Sequence, residues 1–147
     1  MKNIYNLGKM LGTSNEIRNP GLRVLPPGVE RYFVKGGGLS VIEAFPEDKI
    51  EIINDEGKQI CEIVVFNNKG KPDLSILNLK ENANAEFSKK AIAKDEKITK
   101  IFKKKNFDLS KAKSSIIFDE DCLMGEKIIL TSKDKCFVLI AAPGDPL

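Results

Sequence analysis

Chemistry in this sequence is sought first where a charged side chain breaks an apolar run. Glu62 interrupts the run from Gln59 to Phe66, QICEIVVF, and Asn67 closes it. Alternation along a strand puts Glu62 on one face with Ile60, Val64 and Phe66, and Cys61, Ile63 and Val65 on the other. A carboxylate turned inward is costly unless paired, so Glu62 either faces solvent or sits in a site. Arg31 is the arginine of the core region; the other two are Arg18 and Arg23. Its guanidinium suits a bidentate grip on a carboxylate, or an outward ion pair with Glu30 or Glu43. Gly36-Gly37-Gly38 offers backbone N–H groups to an anion, but neither a Gly-x-Gly-x-x-Gly fingerprint nor a Walker lysine accompanies it. A bent connection between strands is its simpler reading.

What is missing narrows the chemistry further. The chain has no histidine, so it holds neither a Ser-His-Asp nor a Cys-His nucleophile system. Imidazole ligands for a catalytic metal are excluded too, and acid–base work falls to Asp, Glu, Lys, Cys or Tyr. Cys61, Cys122 and Cys136 are widely spaced with no CxxC, which argues against a disulfide framework or a structural zinc site. Each reads as a small buried hydrophobe, and Cys122, beside Asp119-Glu120-Asp121, makes a poor thiolate. No catalytic residue and no metal ligand is assigned. Lysines crowd residues 89–113, yet arginine is scarce and aromatics are not interleaved as an RNA-binding sheet needs. A solvated face, without nucleic acid, is expected there.

At 147 residues and 41% hydrophobic composition, one domain with a real core is expected. No apolar run approaches a membrane span, and the N-terminus lacks a secretory h-region, so a cytoplasmic setting without membrane contact is expected. Residues 1–20 are broken by Gly8, Gly12, Asn15 and Asn19-Pro20 and read as an irregular arm. Residues 21–147 read as a single β-rich domain. Pro26-Pro27-Gly28 marks a turn, and strands are expected at 31–34 and 39–45. The runs at 50–53 and 59–66, joined by Asn54-Asp55-Glu56-Gly57, predict a β-hairpin. Strands are also expected at 115–118, 127–131 and 136–142, the last apolar throughout and so covered on both faces. Apolar spacing of three and four predicts a helix over 95–105, with Asp95 as N-cap and Asn106 as its end, and a shorter one over 84–92. The fold class is mainly β, a sandwich or barrel, with one or two short helices inserted around residues 84–105 and placed on an edge.

At PPGVERYFVKGGG, at VIEAFPEDKIEIINDEGKQICEIVVFN and at CFVLIAAPGDPL the chain resembles the urea carboxylase-associated family, a domain of largely unknown function. The hairpin pattern of that family is met by Ile52, Asp55, Gly57, Gln59, Glu62, Ile63, Val64, Phe66 and Asn67. The resemblance is strongest to a branch found in front of a folate-dependent, glycine-cleavage T-type aminomethyltransferase domain, and Ala-Ala-Pro-Gly-Asp-Pro-Leu looks like the junction. Better-characterised members carry Cys and His after the hairpin, some with metal, and some act as carboxyguanidine deiminases. Residues 67–90 here hold neither Cys nor His, which argues against that metal chemistry.

The resemblance implies an accessory or small-molecule-sensing domain, not catalytic by itself, beside an aminomethyltransferase-like domain or subunit. Tetrahydrofolate would belong to that attached or partner domain, and no cofactor to this one. The ligand implied is a small amine, amino acid or carboxylate near Arg31, Glu62 and Asn67. Two other readings stand beside it: a carbon–nitrogen hydrolase of the deiminase type, and a structural domain that mediates assembly.

Overall fold

Strands with one apolar face and strands apolar on both faces call for different depths in the same molecule. The computed structural model describes residues 3–8, 30–35, 37–55, 57–118 and 121–143; in 3–8 and 30–35 the backbone alone is described, apart from Val34. Among the described residues, eight strands, two α-helices and a 3-10 turn at Leu74–Leu77 form three layers. The strands are β1 Asn3–Gly8, β2 Glu30–Lys35, β3 Leu39–Ala44, β4 Lys49–Asn54, β5 Cys61–Asn67, β6 Ser115–Ile117, β7 Glu126–Thr131 and β8 Cys136–Ala141. The helices are α1 Glu86–Ala93 and α2 Glu96–Lys105. The fold is thus mainly β, a sandwich carrying two short helices. No helix among the described residues is long and apolar enough to cross a membrane.

One sheet runs β2-β1-β4-β7 and the other β3-β8-β5-β6. β1 is parallel to both β2 and β4, while every other pairing is antiparallel. Between the sheets Ile50, Ile52 and Leu130 meet Ile42, Cys61, Ile63, Val65, Val138 and Ile140, all buried. On the outer face of the second sheet, Val64, Phe66 and Leu139 are buried against Ala85, Ile92 of α1 and Phe102 of α2. β5 and β8 therefore have apolar neighbours on both sides, which is why their sequences do not alternate. The helices cover this face instead of sitting on an edge.

Two expectations are corrected by the pairing. β4 and β5 do not form a hairpin, since they lie in different sheets. The chain passes from one sheet to the other at β2–β3, β3–β4, β4–β5, β6–β7 and β7–β8, so short turn-rich connections join strands that never pair. The described residues between β4 and β5 make an arch held by Asn54. The Asn54 Oδ1 accepts from Gly57 N–H (2.9 Å), and its Nδ2 donates to the Gln59 carbonyl (2.6 Å). Gly57 has φ +74, and a Cβ there would sit 2.8 Å from the Cys122 carbonyl oxygen and 2.9 Å from Met124 N. The turn chemistry was legible, but the partner strand was not. In the same way the irregular arm expected over 1–20 contains β1, a central strand that gains its ladder from neighbours on both sides.

Local signals hold for the longer helix. The Asp95 carboxylate accepts from Ile98 N–H (3.1 Å), and Asn106 ends α2 in the left-handed conformation. Lys103, Lys104 and Lys105 occupy its last turn, where the helix dipole favours cations.

Candidate functional site

Helix α1 begins without a side-chain cap, because Ala85 stands at its N-cap. An uncapped start leaves amide donors without partners, and here they lie beneath the sheet. Glu62, 1% exposed on β5, supplies the missing acceptor. Its Oε1 accepts from Ser88 N–H (2.9 Å) and from Ser88 Oγ (2.6 Å). A carboxylate at a helix N-terminus is favoured by the dipole as well as by these bonds. Glu62 lies on the face of Val64 and Phe66, as alternation requires, and that face is roofed by α1. It neither meets solvent nor lines any of the grooves described below; it ties sheet to helix.

Asn67 is used differently. Its Oδ1 accepts from Lys69 N–H (2.9 Å) and Lys71 N–H (3.0 Å), shaping the loop after β5. It sits five positions from Glu62, about 17 Å along the strand, and on the opposite face. The structure does not bring these two together. The Arg31 side chain lies outside the described residues, although its backbone pairs with Ile4 in the other sheet. Gly36 is also outside them. Gly37 N–H donates to the Ala142 carbonyl (2.6 Å), and Ala142 N–H to the Gly38 carbonyl (3.0 Å), so Gly37 and Gly38 together oppose Ala142 and carry the β3–β8 pairing on.

The cysteines are all free thiols, buried among the described residues. Burial pushes the Cys61 thiol far up, with Glu62 beside it adding to the effect. Burial also raises Cys136, partly offset by its contact with the Ser132 hydroxyl. Cys122 Sγ accepts from Asn54 Nδ2 (3.3 Å) and so belongs to the arch. None of the three is set up as a nucleophile. Among the described residues no group of three or more His, Cys, Asp or Glu is placed to hold a metal ion.

A groove of about 820 Å³ between β6 and the loop that leads to β7 is open to a small molecule. Phe118, Asp121, Cys122 and Glu126 line it, with Asn82 and Ile116. Asn82 acts as a surrogate strand on the open edge of β6: its Oδ1 accepts from Ile116 N–H (2.7 Å) and its Nδ2 donates to the Ile116 carbonyl (3.2 Å). Glu126 accepts from Leu123 N–H (3.2 Å), which folds the loop back. Two carboxylates beside an aromatic ring make an environment for an ammonium group, by charge and by the ring face. Sequence reasoning noted the acids only as neighbours of Cys122. The signal was there in Asp119, Glu120, Asp121 and Glu126, four carboxylates in eight residues without a lysine or arginine.

With this geometry in place the chain can be set beside known proteins. It is 30% identical over 132 residues to trimethylamine-oxide aldolase of Ruegeria pomeroyi. The match takes in 87% of this chain but 17% of that protein, so the chain spans less than a fifth of the relative's length. No family model matches the chain, and no solved structure does.

Proposed function

We propose that this chain is an accessory, small-molecule-sensing domain that works with a folate-dependent aminomethyltransferase-like enzyme acting on methylated amines. The observation that carries the reading is the match to an enzyme named for a methylated amine oxide, over a small part of that enzyme's length. By mass balance, an aldolase acting on trimethylamine oxide gives dimethylamine and formaldehyde, and formaldehyde is the one-carbon unit that tetrahydrofolate captures. Membership of the urea carboxylase-associated family belongs to the same proposal. In it, folate is bound by the partner domain and no residue of this chain is assigned to it. The groove of Phe118, Asp121 and Glu126 is the place for the amine.

The test is a titration of the isotope-labelled chain with dimethylammonium, trimethylammonium and trimethylamine oxide, followed by amide chemical shifts. Saturable shifts centred on Phe118, Asp121 and Glu126 are expected, with affinity reduced about tenfold in the Asp121→Asn/Glu126→Gln double variant. Glutamine at 126 retains an acceptor for Leu123 N–H, so the loop should keep its shape. Absence of saturable shifts at all three positions, with every amine tried, would remove the sensing role.

A further inference from the structure

Among the described residues, two of the apolar features open to solvent lie in segments of opposite charge. The first is a knob. Leu123 and Met124, each 76% exposed, lie in the loop between β6 and β7, with their backbone against Gly57 and Leu123 also lining the Phe118 groove. Around them the sequence holds Asp119, Glu120, Asp121 and Glu126 and no basic residue until Lys127.

The second is a groove between α2 and the outer edge of β3, about 440 Å³ in volume. Leu39, Val41, Ile98, Ile101, Phe107 and Phe137 form its apolar walls, and Ile101 is 43% exposed. Helix α2 carries five lysines (Lys97, Lys100, Lys103, Lys104 and Lys105) against Glu96. None of these lysines makes an ion pair among the described residues. Lys105 lies over the Phe137 ring at 4.9 Å, at the lip of the groove. Residues 86–113 hold ten lysines and four carboxylates, although the whole chain is only +3. The helix that walls the groove is thus basic, with Glu43 at the groove paired to Lys135 at 4.0 Å, and the sequence around the knob is acidic.

Topology keeps the two apart. β3 and β6 are the opposite edges of one sheet, so the groove and the loop that follows β6 lie on opposite sides of it. They are complementary in polarity and sign but cannot meet within one molecule. We infer that the chain associates head to tail with further copies of itself, the Leu123–Met124 knob of one entering the Ile98–Ile101–Phe107–Phe137 groove of the next. Such a contact is heterologous: each copy presents a knob and a groove, and growth continues until a ring closes. An anchor of two side chains buries little area, so association is weak and leans on charge attraction. It weakens as salt screens that attraction.

Sedimentation of the 147-residue chain across a dilution series tests this. The average mass should rise with concentration and fall back towards the monomer when salt is added. Ile101→Glu removes the groove, and the double change Leu123→Ser/Met124→Ser removes the knob. All three positions are exposed, so circular dichroism should match the parent. Each variant alone should associate at least about tenfold more weakly. Mixed together, they should form a one-to-one dimer that grows no further, because one intact knob and one intact groove remain. A parent chain that stays monomeric at every concentration would overturn the inference. So would self-association that persists in either variant, or a mixture that forms no dimer.

Discussion

Replacement of Phe66 by alanine is expected to lower the free energy of unfolding by about 4 kcal/mol. Phe66 is 1% exposed at the centre of the layer between the second sheet and the helices. Its ring stacks on Phe107 at 4.9 Å with an interplanar angle of 6°, and meets Phe102 edge-on at 5.6 Å. Phe102 and Phe107 contact each other at 5.0 Å, and Phe107 reaches Phe137 at 5.0 Å. Truncation would open a cavity beside the Phe102 and Phe107 rings, which cannot both move into it without giving up their contact with each other. Urea unfolding measures the loss directly. Phe66→Leu retains most of the volume and should lose well under half as much. A loss below about 1.5 kcal/mol for Phe66→Ala would mean that the helices do not pack on the sheet as a core.

Glu62→Ala should be nearly as damaging, at about 3 kcal/mol. Removing the carboxylate leaves the Ser88 amide and hydroxyl buried without acceptors and uncaps α1. Glu62→Gln should lose less than Glu62→Ala, because the amide oxygen still accepts both bonds, although the charge at the helix terminus is gone and an NH2 group is buried in its place. This contrast separates structure from ligand binding. If Glu62 served a ligand, both substitutions would impair binding and leave unfolding largely unchanged. Denaturant midpoints for the two variants settle which pattern holds.

The parts of the fold that were legible in the sequence are those fixed by neighbours along the chain. Asp95, Ile98 and Asn106 mark the start, first buried position and end of α2, and all their decisive bonds span a few residues. The unbroken apolar run in β8 announced two covered faces, whereas β5, interrupted by Glu62, read as one arm of an alternating hairpin. Pairing across the molecule was not legible. Asn54 and Gly57 carry the composition of a hairpin turn, yet they build an arch whose fit depends on Cys122 and Met124, more than sixty residues away. β1 hides its character behind Asn3, Asn6 and Gly8. At Glu62 the sequence offered solvent or a site, and the structure gives a third role. That role has one faint signature: a helix starting after Ala85, with no Ser, Thr, Asp or Asn at its cap, must find its acceptor elsewhere.

These assignments converge on a domain whose buried polar groups are committed to holding it together. Glu62, Asn54 and Ser132 are each buried and hydrogen-bonded within the fold. The open groove near Phe118 brings Asp121 and Glu126 to an aromatic ring, with Cys122 held by Asn54. In the proposed function catalysis rests with the partner enzyme. The most direct test is formaldehyde release from trimethylamine oxide by the purified chain alone, with tetrahydrofolate and with iron, zinc or manganese added in turn. The Ruegeria pomeroyi aldolase serves as the reference. No release above the enzyme-free background is predicted under any of these conditions. Saturable turnover by the chain alone, and above all turnover that depends on a metal, would contradict the accessory role and make this domain a carbon–nitrogen-cleaving enzyme in its own right.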